Sequence, residues 1–273
     1  MKLKAQFFHR LKCHDSVLVM VQSSRGSVPR DEGAWMAVFS DGQIGSIGGG
    51  HLEFEALAIA RESLVGKKDQ FTRRWSLGPS LGQCCGGEVI LSFEFVSPNQ
   101  IEAVQKRFEN TEVQVAVFGG GHVGQVLVRL LSELPIQIRW IDSREDIFPL
   151  SVTNEVQTEH ADQVQLSVAD LAPQTRVVIM THSHSEDLEL VSACLLRQRK
   201  HSDLPYIGLI GSSTKWAKFQ KRLRQREFDQ VEFSHITSPI GINDIKGKEP
   251  EIIAFSTAVQ ILQTMTRTVY QVG

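Results

Sequence analysis

The first third of the chain alternates short apolar runs with turn signals, a pattern that predicts strands joined by short loops. Residues 17–22, VLVMVQ, form a compact apolar run that is typical of a buried strand. AWMAVFS and QIGSI predict two strands joined by Asp41-Gly42, a strong hairpin signal. Apolar residues recur at helical spacing over 51–65, and FTRRWSL and EVILSFEFV predict two further strands. The pattern therefore predicts a mixed α/β domain.

After residue 112 the apolar pattern alternates between strand and helix. Four buried strands are predicted at VQVAVFG, QIRWID, RVVIMTH and YIGLIGS, and EPEIIAFSTAVQILQTM predicts a closing helix. Such alternation is typical of a parallel, doubly wound sheet. We therefore expect an α/β protein with an N-terminal mixed α/β domain over 1–97, a linker over 98–112 and a C-terminal Rossmann-like domain with a parallel sheet over 113–273.

Composition narrows the class of protein further. The chain has 273 residues, enough for two domains, and its net charge of −2 gives no reason to expect a nucleic acid or an anionic membrane as partner. No apolar run approaches the ~18 residues that span a bilayer, and the N-terminus lacks the apolar core of a signal peptide. The four cysteines form no C-x-x-C pair. We expect a cytoplasmic protein with reduced thiols.

The clearest chemical motif is the G-x-G-x-x-G pattern of Gly119, Gly121 and Gly124, which follows one predicted strand and opens a helix. Gly119 permits the tight turn, Gly121 lets a phosphate approach the backbone, and Gly124 lets helix and strand pack closely. Asp142 ends the next strand, where it would accept a hydrogen bond from a ribose hydroxyl. The pattern fits either a nucleotide site or a Rossmann-type domain that has lost its ligand.

A second glycine turn lies in the N-terminal domain, at Gly48, Gly49 and Gly50 before His51. This turn either cradles an anion at a helix N-terminus or only requires positive φ angles. Arg25 and Arg30 flank a loop of the same domain. Arginine suits bidentate recognition of phosphate or carboxylate, although two solvated side chains explain the sequence equally well.

Cys84 and Cys85 are adjacent, which prevents an ordinary disulfide between them. Gly82, Gly86 and Gly87 leave these thiols little cover, so a ligand can come close. A thiolate can bind a soft metal or hold a transferable sulfur, and we favour such a function over simple core packing. For Cys13 and Cys194 we expect a packing role.

Two other clusters have less specific signals. His182 and His184 follow a strand, with Asp187 as a third candidate metal ligand, but turn histidines without a metal are the favoured interpretation. Residues 215–226, KWAKFQKRLRQR, carry six basic residues on a predicted amphipathic helix. A solvated helix is expected there, with a docking patch for an acidic partner as the alternative.

Several of these motifs occur in one order in a known family. The sequence resembles the XdhC/CoxI family of xanthine dehydrogenase accessory proteins from about residue 16 to residue 265. The segments that carry the resemblance are RGSVPRDEGAWMAV, DGQIGSIGGGHLEFEA, LGPSLGQCCGGEV, VAVFGGGHVGQVLV, IDSRED, MTHSHSEDLELV, YIGLIGSSTK and SPIGINDIKGKEPEIIA.

The resemblance implies a maturation factor that binds molybdenum cofactor (molybdopterin). Such a protein supports sulfuration of the cofactor with a cysteine desulfurase and passes it to xanthine dehydrogenase; family members are often dimeric, so a homodimer is one expected state. The resemblance also implies that the best cofactor site is Gln83, Cys84, Cys85, Gly86 and Gly87, with the two cysteines as candidate molybdenum ligands. An NAD(P)-dependent oxidoreductase that uses the Rossmann-like domain is the alternative. Glu186 and Asp187 lie slightly later than the acidic position of the family pattern, which leaves their role open.

Overall fold

The computed structural model describes residues 3–77, 87–109, 113–149 and 156–269. The chain forms two compact units, Met1–Thr111 and Glu112–Gly273. In the described part of the chain, no helix is both long enough and apolar enough to cross a bilayer.

The first unit is built on a five-stranded antiparallel sheet. Its elements are α1 (Leu3–Leu11), β1 (Ser16–Arg25), β2 (Trp35–Phe39), β3 (Gly42–Gly45), α2 (Gly50–Gly66), β4 (Phe71–Ser76), β5 (Glu88–Val96) and α3 (Ile101–Glu109). The strand order is β3-β2-β1-β5-β4. The predicted hairpin through Asp41-Gly42 is confirmed, since Phe39 pairs with Gly42.

The sheet of the first unit is covered on both faces, which explains the continuous apolar run of β1. Val17, Val19 and Val21 pack with α2, whereas Leu18 packs with the buried side chains of α1 and α3 on the other face. A strand that is buried on both faces needs apolar residues at every position instead of the period of two seen in half-exposed strands.

The predicted linker over 98–112 belongs to the first unit as far as Thr111. Residues 98–100 form a 3-10 helix that leads into α3, and Val104 and Phe108 of α3 are buried against α1 and the sheet. The two compact units divide after Thr111. Because α3 covers one face of the sheet, residues 98–109 do not act as a linker.

The second unit contains a six-stranded sheet in which every pair of strands is parallel. Its elements are β6 (Val113–Phe118), α4 (His122–Leu131), β7 (Ile136–Asp142), β8 (Val156–His160), β9 (Arg176–Ile179), α5 (His184–His201), β10 (Tyr206–Leu209), α6 (Ser213–Arg224), α7 (Gln230–Phe233), β11 (Ile236–Thr237) and α8 (Pro250–Val269). The strand order is β11-β10-β9-β6-β7-β8. This is the doubly wound Rossmann order, so the predicted fold class is confirmed.

The apolar pattern did not reveal the two edge strands, β8 and β11. β8 has the sequence VQTEH and buries only Val156 fully, while β11 has two residues. Edge strands are short and polar because they need little burial on their outer side. The central strands β6, β9 and β10 are buried along most or all of their length, which is why their apolar runs are clear in the sequence.

Candidate functional site

The sheet of the second unit has a topological switch point between β6 and β9. The chain leaves β6 for β7 on one side, whereas β9, β10 and β11 follow on the other side. In open α/β sheets, ligands bind in the crevice at the carboxyl ends of the strands at such a point. The glycine fingerprint lies there, because Gly119–Gly121 connects the end of β6 to the N-terminus of α4.

Two glycines of this loop and one in the first turn of α4 are required by contacts within the protein. Gly119 has φ +125°, and a Cβ there would lie 2.2 Å from the carbonyl oxygen of Met180. A Cβ on Gly120 would lie 2.7 Å from Ile147, and one on Gly124 would lie 2.1 Å from the carbonyl oxygen of Gly119. The predicted roles of Gly119 in the turn and of Gly124 in close packing therefore agree with the geometry.

Gly121 differs from these glycines, because neither its backbone nor its described neighbours exclude a side chain. It caps α4 with φ −69° and ψ −177°, an extended conformation that any residue can adopt. A Cβ built on Gly121 meets no heavy atom within 4 Å. The backbone of Gly121 therefore borders open space at the start of α4, and a helix N-terminus with such space beside it is suited to a phosphate group.

Asp142 ends β7 beside this loop, but its carboxylate is already occupied. Its side chain is 1% exposed and accepts hydrogen bonds from the Gly120 amide at 2.5 Å and from the backbone and guanidinium of Arg144 at 2.8–2.9 Å. Burial alone would raise the pKa of Asp142, but the hydrogen bonds from Arg144 and Gly120 outweigh it and lower that pKa. Asp142 therefore holds the glycine loop and Arg144 in place.

A second carboxylate faces the same region. Glu186, in the first turn of α5, accepts a hydrogen bond from the Ser143 hydroxyl at 2.7 Å through Oε1. Its Oε2 atom is buried and has no hydrogen-bond partner among the described residues; Nδ1 of His182 lies 3.8 Å away. Ser143 and Arg144 were not assigned to the site from the sequence. Their position directly after a predicted strand was the available signal.

The described residues hold no group of three candidate metal ligands. His182 and His184 are exposed, whereas Asp187 is 0% exposed and accepts hydrogen bonds from Thr181 and from Nζ of Lys215 at 2.5 Å. Asp187 therefore anchors α6 to the end of β9, a structural role.

The basic helix α6 uses half of the predicted basic cluster for internal contacts. Lys215 is paired with Asp187, Arg224 lies over the ring of Phe233, and Arg226 pairs with Glu189. Three basic side chains are left for the solvated face of the segment: Lys218, Lys221 and Arg222.

In the first unit, three predicted segments meet at one end of the sheet, where β1 ends and β5 begins. A Cβ on Gly48 would lie 2.5 Å from Pro29 and 3.2 Å from Arg30, and a Cβ on Gly87 would lie 2.3 Å from the carbonyl oxygen of Ser27. The loop between Arg25 and Arg30 thus packs against both glycines, and both arginine side chains are exposed.

The same end of the sheet holds the two described residues that precede and follow the cysteine segment. The Leu77 amide donates to the Gly87 carbonyl at 2.7 Å, which joins the two ends of the segment between β4 and β5. Of the five residues predicted as the best cofactor site, Gln83 to Gly87, the structure describes Gly87. Gln83, Cys84, Cys85 and Gly86 lie outside the described residues, so their predicted role stays a prediction.

The Gly48–Gly50 turn already holds an anionic group of the protein. Oε2 of Glu53 accepts hydrogen bonds from the Ser46 hydroxyl at 2.5 Å and from the amides of Ile47 and Gly49 at 3.0 Å. Burial would raise the pKa of Glu53, but these hydrogen bonds and one from Gln43 lower it. An external anion would have to displace Glu53 from this turn.

The two isolated cysteines differ from each other. Cys194 is buried, and desolvation raises its pKa to about 12, which agrees with the predicted packing role. Cys13 is exposed, so the prediction that it packs in a core is wrong. It follows the last turn of α1, where Phe7 and Leu11 supply the buried contacts instead.

Each of the two units is matched by a model of a known protein family. A family model described as XdhC Rossmann domain matches residues 115–261, and the model of the XdhC and CoxI family matches residues 12–75. Protein YqeB of Escherichia coli K12 is 26% identical over 253 residues, and this match covers 90% of the chain but only 43% of YqeB.

A crystal structure of a xanthine dehydrogenase from Bacillus halodurans superposes on 98% of this chain and 96% of its own with a TM-score of 0.75. The two sequences are 19% identical, so the superposition shows that the two proteins share a fold and no more than that. The resemblance found in the sequence is confirmed by the family models: the chain belongs to the XdhC and CoxI family, and its second unit is an XdhC Rossmann domain.

Proposed function

We propose that this protein is a maturation factor that binds molybdenum cofactor, supports its sulfuration and delivers it to xanthine dehydrogenase. Membership of the XdhC and CoxI family supports this role. The structural observation that carries the proposal is the end of the sheet of the first unit where the arginine loop packs against Gly48 and against Gly87, the residue that follows the cysteine segment.

The residues at this end of the sheet suit an anionic cofactor with a soft metal. Arg25 and Arg30 are exposed and have no ion-pair partner among the described residues, so their guanidinium groups can receive a phosphate. Cys84 and Cys85 supply sulfur, the ligand type that soft metal centres prefer. When bound, the cofactor supplies the molybdenum centre that takes up sulfur. The chain binds and orients it.

The open space at Gly121 supports a second site, for a nucleotide-type phosphate, in the Rossmann unit. The proposed macromolecular partners are xanthine dehydrogenase, a cysteine desulfurase as the sulfur source and a second copy of this chain. These partners follow from the proposed role in maturation.

Cofactor binding can be tested directly with the full chain. The protein is purified anaerobically from a molybdate-fed host, and its molybdenum and pterin contents are measured. We expect Cys84→Ala, Cys85→Ala or the double variant to lose cofactor, while Cys13→Ala, which removes an exposed thiol of the same unit, retains it. Retention of the cofactor by all three variants would refute the thiol role.

A second candidate function is an NAD(P)-dependent oxidoreductase. The Rossmann strand order and the space at Gly121 favour it. Quenching of NADH fluorescence, followed by a search for turnover, separates the two functions. Tight NADH binding with turnover in the cysteine double variant would favour the oxidoreductase.

A further inference from the structure

We infer that Glu186, and not Asp142, is the carboxylate that accepts a hydrogen bond from the ligand of the Rossmann crevice. The ligand class is a phosphate ester that also presents an O–H or N–H donor, as the ribose of a nucleotide or the amino edge of a pterin does. This inference rests on the proposed phosphate site at Gly121.

Asp142 occupies the position where Rossmann proteins place the acceptor for a ribose hydroxyl. In this chain both of its carboxylate oxygens face donors of the protein. Oδ1 accepts from the Arg144 amide and Nε, and Oδ2 accepts from the Gly120 amide and Arg144 Nη2. A ligand hydroxyl would have to break these buried, charge-assisted contacts, so Asp142 is a poor acceptor for it.

Glu186 has the opposite arrangement. Ser143 fixes Oε1 by a hydrogen bond of 2.7 Å, while Oε2 is buried without a partner among the described residues. A buried carboxylate oxygen without a donor is costly, and such exceptions in native proteins require an explanation. A ligand that donates a hydrogen bond to Oε2 would explain why the protein holds this oxygen without a donor of its own.

The location of Glu186 matches the expected path of a ligand. Ser143 follows β7 and Glu186 belongs to α5, which follows β9; β6 and its glycine loop lie between these two strands in the sheet. The hydrogen bond from Ser143 to Glu186 therefore links the segments that follow the two strands on either side of β6. A ligand whose phosphate lies at Gly121 can place a neighbouring donor at Glu186.

The side chains of Arg144 and His182 flank this acceptor. The Arg144 guanidinium is 38% exposed. Its hydrogen bonds to Asp142 raise the pKa of Arg144 most, and the negative charge of Glu186 raises that pKa further. Nδ1 of His182 lies 3.8 Å from Glu186 Oε2, beyond hydrogen-bond distance. Neither group donates a hydrogen bond to Oε2, and the guanidinium charge of Arg144 favours an anionic ligand in its vicinity.

The test compares ligand affinity with stability in the full chain. The probes are NADH, followed by fluorescence, and a phosphorylated 6-substituted pterin, followed by its own fluorescence. We expect Glu186→Gln to weaken binding about 10- to 100-fold, the usual loss for a hydrogen bond to a charged group. Its Tm should stay equal to that of the wild type or rise, because Gln removes a buried charge and still accepts from Ser143. Glu189→Gln, an exposed carboxylate of the same helix, is the matched control and should bind like the wild type.

The outcomes separate a failure of the Glu186 inference from a failure of the phosphate site at Gly121. The probe that binds shows whether a nucleotide or a pterin supplies the hydrogen-bond donor. If Gly121→Val abolishes binding and Glu186→Gln leaves it unchanged, the phosphate site stands and the inference is wrong. If Glu186→Gln lowers the Tm, Glu186 has a partner in the free protein and the inference is also wrong. If the wild type binds neither probe, the phosphate site and the inference fail together.

Discussion

Replacing Asp142 with asparagine should destabilise the second unit, because every described hydrogen-bond partner of this carboxylate is a donor. The amide group of the new side chain would face either Gly120 N and Arg144 Nη2 or Arg144 N and Nε, depending on its orientation. In both orientations an NH2 group meets N–H donors, and two donors of the protein lose their acceptor.

The size of the effect follows from the burial of the pair. Removing one partner of a fully buried ion pair costs about 3–5 kcal/mol. Asp142 is 1% exposed but Arg144 is 38% exposed, so solvent compensates part of the loss. We therefore expect a loss of about 2–4 kcal/mol. For a unit of this size this corresponds to a decrease in Tm of about 5–15 °C.

The assay is differential scanning calorimetry of the full chain at pH 7, with Asp170→Asn as the matched control, since Asp170 is an exposed aspartate of the same unit. The pKa of Asp142 is lowered in the folded state, so its stabilisation is present above the unfolded-state pKa of about 3.9 and is lost as the pH falls through the folded value. The difference between wild type and variant should therefore shrink below about pH 4. A variant that melts within about 1 °C of the wild type at pH 7 would refute a structural role for Asp142.

Three further predictions concern groups with defined surroundings. Gly124→Ala should lose about 2 kcal/mol or more in denaturant unfolding, because its Cβ would lie 2.1 Å from a carbonyl oxygen, whereas Gly121→Ala should lose less than about 1 kcal/mol. Glu53→Ala should lose about 1–3 kcal/mol at pH 7, and its difference from the wild type should vanish as the pH falls through the lowered folded pKa of Glu53, as measured by urea titrations at several pH values. Cys194 should resist iodoacetamide at pH 8 in the native protein while Cys13 reacts; peptide mass spectrometry that finds native Cys194 alkylated at the rate of Cys13 would contradict the burial of its thiol.

The outcome for Gly121 and Asp142 shows how far a motif can be interpreted from the sequence. The G-x-G-x-x-G spacing indicated the strand, the turn and the helix, because the backbone geometry of that turn imposes glycine at fixed positions. The spacing could not reveal whether Asp142, the acidic residue at the end of β7, was available to a ligand. That depends on Arg144, whose guanidinium folds back onto the carboxylate.

The Gly48–Gly50 turn illustrates the same limit. Three consecutive glycines before a helix are consistent with an anion cradle, and all three do have positive φ angles. The amides of Ile47 and Gly49, however, are taken by Glu53, a residue of the helix that follows the turn. Side-chain direction decides such a contact, and a sequence pattern does not specify it.

The sequence alone determined the fold class, the central strands of both sheets and the family. The buried runs of β1, β6, β9 and β10 carry that information, because continuous burial demands apolar residues whatever lies around them. Only the tertiary structure decided that α3 belongs to the first unit, that Asp142 is occupied by Arg144 and that Glu186 has an oxygen beside the crevice with no partner among the described residues. These features depend on contacts between residues that are distant in the chain or on rotamers, and local sequence periodicity contains no information about either.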